Sequence, residues 1–174
     1  AAATYMDVFR NLGAEATIAV HTRDRDEADR LGPMEAIEWA TGAFLTGGDQ
    51  GRIVARVADT CLHSSLRQGR KRGLVVAGTS AGAAVMPDLA IVEGDSGSSP
   101  RLNSIEIRSG LGFLPGIVID QHFAQRGRLG RLISILLQAP AVVGLGIDED
   151  TAIVAQGEEF AVIGSGAVTV VDES

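Results

Sequence analysis

Short apolar segments alternate along the chain with longer windows in which apolar residues recur at helical spacing. The apolar segments are continuous, as in central parallel strands that are covered on both faces. The windows at Ile53–Arg67 and Leu129–Leu137 have the helical spacing. This alternation predicts an α/β fold with a doubly wound, mostly parallel sheet. The predicted strands of that sheet are Ala16–Val20, Gly42–Leu45, Leu74–Ala77, Ile117–Asp120 and Val142–Ile147.

The two ends of the chain depart from this pattern. The residues from Thr151 onward contain closely spaced strands, Ala152–Ala155 and Ala167–Val171, with a QGEE turn. They predict a C-terminal antiparallel β-hairpin. At the other end, Tyr5–Asn11 has a helical pattern without a strand before it, so we expect an N-terminal strand region to be missing. The length of 174 residues predicts that residues 1–174 form a single domain.

Charge and cysteine content argue against several classes of function. The formal net charge of −7 repels phosphate backbones and anionic lipids, so we expect no nucleic-acid or membrane partner. Cys61 is the only cysteine, which excludes an intramolecular disulfide and zinc sites that need two or more cysteines. The N-terminus lacks the basic start and apolar core of a secretory signal. We expect a cytoplasmic protein without metal or cofactor, and a secreted form stays open because the N-terminus looks incomplete.

The segment Gly78-Thr79-Ser80-Ala81-Gly82 follows directly on a predicted strand and precedes an Ala-rich helical start. This is a G-x-S-x-G pattern in a strand-turn-helix context, where flanking glycines permit a sharp turn that exposes the serine oxygen. A Gly-rich turn that only lets a helix pack closely on a strand is the alternative reading. The context favours Ser80 as a nucleophile.

A serine nucleophile needs an imidazole within hydrogen-bond reach. Of the three histidines, His122 follows directly on the predicted strand Ile117–Asp120, where catalytic loops gather in open parallel sheets. His21 and His63 are better suited to surface or packing roles. His122 is therefore the candidate base.

The imidazole in turn needs a carboxylate that orients it. The interval between Ser80 and His122 is too short for the intervening strands that carry the acid in α/β-hydrolases. We therefore prefer the cluster Asp148-Glu149-Asp150, which ends the strand Val142–Ile147. Asp148 and Glu149 point to opposite sides of a strand, and the strand pattern alone leaves the choice between them open.

Two backbone amides are candidates for an oxyanion hole. The N–H of Ala81 lies next to the nucleophile, and Gly48 in the segment Thr46–Gln50 offers a bare backbone at a neighbouring strand end.

Three arginines close to His122 form the densest positive cluster in this acidic chain. Arginine binds carboxylates bidentately, so the cluster predicts clamps for a carboxylate ligand. Asp120 and Gln121 would serve a cationic or amide part of the same ligand, which is then zwitterionic. The three arginines are Arg126, Arg128 and Arg131.

Five segments together resemble the cyanophycinases, in the serine peptidase family that also contains the α-aspartyl dipeptidases. The resemblance covers the chain from about Tyr5 onward, and the run DQHF-x-x-R-x-R-x-x-R is its most specific part. The segments, in chain order, are TGGDQ, VVAGTSAGAAVM, GDSGSSPR, VIDQHFAQRGRLGRL and GLGIDEDTA.

The resemblance implies a flavodoxin-like fold related to the class I glutamine amidotransferases, and a triad of Ser80, His122 and Glu149. It further implies that the substrate is cyanophycin, a polyaspartate with arginine on each side-chain carboxyl, and that the enzyme is an exopeptidase releasing β-Asp-Arg dipeptides. A homodimer is a further expectation. The implied substrate pocket consists of Gln50, Asp120, Gln121, Arg126, Arg128 and Arg131.

Several alternatives stay open beside this hypothesis. An α-aspartyl dipeptidase-like enzyme of the same family and a non-catalytic, amidotransferase-like binding module are the principal ones. An amidotransferase itself is disfavoured because it needs a thiolate at the turn, and metal-dependent hydrolysis is weaker still. The Gly- and Ser-rich loop Val92–Asn103 is predicted to be a mobile flap.

Overall fold

The computed structural model describes residues 2–94, 99–100 and 105–172, which fold into a mixture of helices and strands. The helices are α1 (Ala2–Asn11), α2 (Arg25–Ala28), α3 (Leu31–Trp39), α4 (Gln50–Val57), α5 (Cys61–Lys71), α6 (Ala81–Ala84) and α7 (Leu129–Leu136), with a 3₁₀ turn at Ala124–Arg126. The strands are β1 (Gly42–Leu45), β2 (Val75–Gly78), β3 (Leu89–Gly94), β4 (Ile105–Ser109), β5 (Ile117–Gln121), β6 (Val143–Ile147), β7 (Thr151–Gln156), β8 (Glu159–Gly164) and β9 (Val168–Val171).

Two parallel strand pairs lie at the centre of the fold. Strand β1 pairs with β2, and β5 pairs with β6 in a register that brings Gln121 opposite Ile147. Strand β9 adds antiparallel to the other edge of β6. The continuous apolar runs predicted these strands to within one residue at each end. Burial on both faces explains the runs of β5 and β6, whereas β1 and β2 are partly exposed and Val75 is 66% exposed.

Two antiparallel pairs complete the strands. A C-terminal hairpin is confirmed at the predicted QGEE turn, where β7 pairs with β8 and Gly157 has φ 65°. The predicted strand Ala167–Val171 is not part of it, because it forms β9, which pairs with β6. The pair β3–β4, which the sequence pattern did not predict, has a register shift between Ile91 and Glu93. Strand β3 takes in the start of the predicted flap at Val92–Asn103; residues 95–98 and 101–103 of that flap lie outside the described residues.

The predicted strand at Ala16–Val20 is wrong. These residues belong to no strand, and Ile18 is 70% exposed. A strand is stabilised by its ladder of hydrogen bonds and by packing, so β-branched composition alone is insufficient. No strand in the described part of the chain pairs with this segment.

The predicted single helix at Ile53–Arg67 is also wrong, because a tight turn divides it into α4 and α5. Asp59 has φ 60°, and the Thr60 hydroxyl caps the second helix by accepting a hydrogen bond from the His63 N–H at 3.3 Å. The apolar spacing continues across the turn because both helices contribute side chains to one core cluster. Periodicity thus identified the buried face but missed the interruption.

Packing between α7 and β6 fixes the region that follows β5. Leu132 and Ile135 of α7 are fully buried, and each such side chain contributes roughly 1.5–3 kcal/mol through burial. At Gly146 of β6, an added Cβ would lie 2.4 Å from the ring of Phe123. Since Phe123 is the residue after His122, this close approach anchors the end of β5 against its neighbour. No helix within the described ranges is long and apolar enough to cross a membrane.

Candidate active site

Ser80 lies in a sharp turn between β2 and α6, as the G-x-S-x-G pattern predicted. Its backbone has φ 52° and ψ −119°, a region that L-residues rarely adopt. An added Cβ at Gly78 would lie 2.5 Å from the carbonyl oxygen of Gly82, and one at Gly82 would lie 2.1 Å from that of Leu45. Glycine is therefore required at both positions for the turn to close, and the turn leaves the Ser80 side chain only partly buried.

His122 lies directly after β5 and connects Ser80 to Glu149. Its Nε2 is 3.0 Å from the Ser80 Oγ, and its Nδ1 is 2.7 Å from the Glu149 Oε1. An ionised carboxylate only accepts hydrogen bonds, so Nδ1 carries the proton and Nε2 accepts from the serine hydroxyl. The arrangement has the geometry of a serine nucleophile with its base and an orienting acid.

The structure separates the two carboxylates that strand parity left open. Asp148 accepts hydrogen bonds from the backbone N–H groups of Ala124 at 3.0 Å and Ala167 at 3.1 Å, so it faces the main chain. Glu149 faces His122, and its side chain is 52% exposed. Two acidic neighbours therefore have different partners.

Gln125 is a site residue that the sequence reasoning missed. Its Oε1 accepts a hydrogen bond from the Glu149 N–H at 3.1 Å. Together with Asp148, Gln125 ties the turn after β5 to the turn after β6, and so limits how far Glu149 can move from His122. The sequence showed only that Gln125 lies three residues after His122. That position predicts a contact with Glu149 only once the turns after β5 and β6 are known to be adjacent.

Non-glycine residues with a positive φ angle are concentrated at this site. Four non-glycine residues among those described have positive φ, and three of them belong to its turns: Ser80, His122 and Asp150 at φ 52°, 51° and 52°. Such conformations cost free energy and persist where the surroundings over-determine them. Their clustering is typical of a functional site.

Of the two amides predicted for the oxyanion hole, that of Ala81 follows Ser80 in the chain, and that of Gly48 follows Gly47, which lies close to Ser80. In the described part of the chain neither the Ala81 N–H nor the Gly48 N–H donates a hydrogen bond to a protein acceptor. The segment with Gly48 approaches the nucleophile closely, because an added Cβ at Gly47 would lie 3.2 Å from the Ser80 Cβ. Both amides remain candidates for stabilising a developing oxyanion.

The residues predicted to bind substrate fall into two groups. Arg126 is exposed, and its side chain makes no hydrogen bond or salt bridge to any described residue. Gln50 is partly buried at the first position of α4. The other four side chains are buried, with exposed fractions of 1 to 8%. They are Asp120, Gln121, Arg128 and Arg131.

Asp120 accepts hydrogen bonds from both buried arginines. Arg131 Nε lies 2.7 Å from Oδ2 and Arg131 Nη2 also contacts Oδ1, while Arg128 Nη1 lies 3.1 Å from Oδ1. Burial lowers the pKa of the Arg128 guanidinium, and the charge of Asp120 opposes that effect. Two of the three arginines predicted as substrate clamps are thus paired inside the protein.

Comparison with known proteins identifies the family. The sequence profile of peptidase family S51 matches residues 2–163. The chain belongs to peptidase family S51. Within the described residues we find no group of three or more His, Cys, Asp or Glu side chains placed to hold a metal ion.

Cyanophycinases are similar to this member of the family over almost its whole length. The one from Geminocystis herdmanii is 44% identical over 170 residues, which cover 97% of this chain and 62% of the relative. The one from Trichormus variabilis is 41% identical, with 97% of this chain and 57% of the relative covered. The chain thus spans about three fifths of the length of these relatives.

A solved structure shares the fold. The crystal structure of a peptidase from an acI-B1 actinobacterium superposes with a TM-score of 0.75 and 22% sequence identity, covering 97% of this chain and 71% of that one. This likeness establishes a mixed α/β fold with parallel strand pairs.

Proposed function

We propose that this protein is a serine exopeptidase that hydrolyses cyanophycin to β-Asp-Arg dipeptides through an acyl-enzyme. The observation that carries the proposal is the continuous chain of hydrogen bonds from Ser80 through His122 to Glu149, at 3.0 and 2.7 Å. The substrate class is supported by the cyanophycinase relatives at 38–44% identity. The geometry supports the chemistry, and the relatives support the substrate.

In the acylation step, the Ser80 Oγ attacks the carbonyl carbon of the scissile amide while its proton passes to His122 Nε2. The imidazolium is stabilised by Glu149, and the oxyanion accepts hydrogen bonds from the N–H groups of Ala81 and Gly48. The tetrahedral intermediate collapses when the C–N bond breaks and His122 transfers its proton to the leaving amine. The product is an ester on Ser80.

Deacylation reverses these roles with water. His122 Nε2 takes a proton from a water molecule, whose oxygen attacks the ester carbonyl. The C–O bond to Ser80 breaks, and the proton on His122 returns to the Ser80 oxygen. The enzyme is restored, and one amide bond has been hydrolysed by one water molecule.

We expect the substrate to be bound by polar side chains close to Ser80, His122 and Glu149. Arg126, at the turn after His122, presents a guanidinium with no partner among the described residues, which suits the carboxylates of a β-aspartyl-arginine unit. Gln50 is partly buried at the first position of α4, three residues after Gly47, which approaches Ser80, and its amide can donate to or accept from a substrate amide. Gln121 Oε1 is buried without a hydrogen-bond partner among the described residues, so it is available to a donor group such as a guanidinium.

We also propose that the parallel pairs belong to one doubly wound sheet of the class I glutamine amidotransferase type, within a single domain. The carboxyl ends of β2, β5 and β6 support this arrangement, since they carry Ser80, His122 and Glu149 and these three side chains meet. In the described part of the chain β1–β2 and β5–β6–β9 are separate hydrogen-bonded ladders. A crystal structure in which backbone hydrogen bonds join these two groups of strands would verify the single sheet, and one that keeps them apart would refute it.

Isolated cyanophycin granules with mass analysis of the products test the proposed activity. We expect release of β-Asp-Arg by the unaltered protein and none by Ser80→Ala under the same conditions. Cleavage of α-aspartyl dipeptides with no release from cyanophycin would favour the dipeptidase. Failure of a serine-directed fluorophosphonate to react with Ser80, together with no turnover of either substrate, would favour a binding module.

A further inference from the structure

The buried cluster of Asp120, Arg128 and Arg131 adjoins the candidate base. Asp120 is the fourth residue of the five-residue strand β5 and is 1% exposed, and His122 follows two positions later. The Asp120 carboxylate accepts four hydrogen bonds: three from the arginines and one from the Gln121 N–H at 3.0 Å. A carboxylate with four donors and no exposed surface has little capacity left for a ligand.

The same cluster holds the peptide bond that precedes His122. Arg128 Nη1 donates to the carbonyl oxygen of Gln121 as well as to Asp120. That carbonyl belongs to the Gln121–His122 peptide, whose orientation is linked to the φ angle of His122. The Arg128 guanidinium therefore fixes one side of the rotation that gives His122 its positive φ of 51°.

Backbone bonds fix the other side of His122. The His122 carbonyl accepts from the Arg126 N–H at 3.1 Å, and the Phe123 N–H donates to the Ile147 carbonyl at 3.1 Å. An L-residue at positive φ relaxes unless such contacts hold it. Of the contacts that hold the His122 backbone, the hydrogen bond from Arg128 to the Gln121 carbonyl is the one made by a side chain.

We infer that Asp120, Arg128 and Arg131 are positioning residues that hold the His122 backbone, so that its imidazole stays between the Ser80 Oγ and the Glu149 carboxylate. Asp120 and Arg131 orient the Arg128 guanidinium, and Arg128 holds the peptide. This role rests on the proposed function for its catalytic meaning, and it differs from the direct substrate contact that the sequence pattern predicted for the same three residues.

The charges in the cluster indicate which residue to substitute. Two guanidiniums share one carboxylate, so removing Asp120 would leave two buried cations without a counter-charge. Replacing Arg128 leaves the Asp120–Arg131 ion pair neutral, and it also removes a buried Nε that lacks a partner among the described residues. Arg128→Met is therefore the informative variant, since methionine keeps much of the apolar stem and removes every donor.

Reaction with diisopropyl fluorophosphate measures the reactivity of Ser80 without the peptide substrate. The Ser80 Oγ bonds to phosphorus, fluoride leaves, and the serine proton passes to His122 Nε2. We expect Arg128→Met to react about tenfold to a hundredfold more slowly, because a displaced base removes the proton less effectively. We expect kcat on cyanophycin to fall in parallel and KM to stay within about twofold of wild type. Arg72→Met, at an exposed arginine beyond the site, is the matched control.

The direct-contact hypothesis makes the opposite prediction. A several-fold rise in KM with an unchanged labelling rate would show that Arg128 binds substrate and would overturn the inference, as would a variant that behaves like wild type in both assays. If Arg128→Met does not fold by circular dichroism, Arg128→Leu, which also removes every donor, replaces it. An unchanged labelling rate in that variant likewise overturns the inference.

A spectroscopic measurement separates this inference from the proposed function. The chain has three histidines, so a spectrum with ¹⁵N-labelled histidine is simple, and His122→Gln assigns the His122 signals. We expect one Nδ1-protonated tautomer for His122 in the wild type and exchange between tautomers in Arg128→Met. Identical His122 signals in the two proteins would overturn the positioning role. A protein that neither cleaves cyanophycin nor reacts with the fluorophosphate refutes only the proposed function, and these signals still decide the inference.

Discussion

His63 and His122 are both held at both ring nitrogens, but their partners differ in kind. His63 is buried; its Nδ1 accepts from the Asp59 N–H at 3.1 Å, and its Nε2 donates to the Leu111 carbonyl at 2.7 Å. The ring of Phe113 packs edge-on against it. His122 is partly exposed and bonds instead to the side chains of Ser80 and Glu149.

The difference shows why only one of these histidines suits catalysis. Backbone amides and carbonyls exchange no protons with an imidazole at neutral pH, so the hydrogen bonds of His63 stabilise the fold and do not support proton transfer. Those partners include the N–H of Asp59, a strained residue at φ 60° between two helices. A hydroxyl and a carboxylate can give up a proton or stabilise a charge, so the partners of His122 support a reaction.

Removing the nucleophile is the strongest test of the catalytic role that we assign to His122 and its partner Ser80. Ser80→Ala deletes one oxygen at a partly buried position, so we expect kcat on cyanophycin to fall by about 10⁴-fold or more. We expect the unfolding midpoint in urea to change little. Turnover within tenfold of wild type would show that another group performs the attack.

Removing the orienting charge tests whether the carboxylate partner of His122 matters. Glu149→Gln exchanges an acceptor for an amide that can stabilise the wrong tautomer, and we expect kcat to fall by roughly 10²–10⁴-fold with KM nearly unchanged. Asp148→Asn is the neighbouring control, because Asp148 bonds to backbone amides, and its loss of kcat should be clearly smaller. A larger loss in the control would reverse the assignment of the two acids.

The structural half of the comparison is tested at His63. His63→Leu leaves the buried Leu111 carbonyl and the Asp59 N–H without partners, so we expect a loss of about 2–4 kcal/mol in the free energy of unfolding. Urea titration measures this loss. We expect kcat to be retained at temperatures where the variant is folded; a kcat loss as large as that of Glu149→Gln would contradict a purely structural role.

Gln125 gives the smallest expected effect and sharpens the description of the site. Gln125→Ala removes one hydrogen bond to the Glu149 N–H, worth about 1 kcal/mol, so we expect kcat to fall about fivefold to tenfold. Gln125→Glu keeps an acceptor and should restore most of the rate. Equal rates for wild type and Gln125→Ala would show that Asp148 alone holds the turn.

Local patterns were sufficient for much of the fold and for placing Ser80 and His122 at the ends of strands. Continuous apolar runs predicted β1, β2, β5 and β6. Both faces are covered in β5 and β6, whereas β1 and β2 are partly exposed. The patterns failed at Ala16–Val20, where no neighbouring strand among the described residues completes a ladder. They also missed the turn at Asp59, because the buried face of the helices continues across it.

The amino-acid sequence by itself determined where a nucleophile and a base can lie, because the glycines of a sharp turn and the end of a strand are recognised from a few neighbouring residues. Strand parity left Asp148 and Glu149 open and the family resemblance implied Glu149, which the structure places beside His122. Only the tertiary structure decided that Arg128 and Arg131 turn inward to Asp120 while Arg126 stays exposed. The physical reason is that burial and charge pairing depend on which chain segments come together. Arginines within six positions of one another can therefore have opposite environments that no local pattern distinguishes.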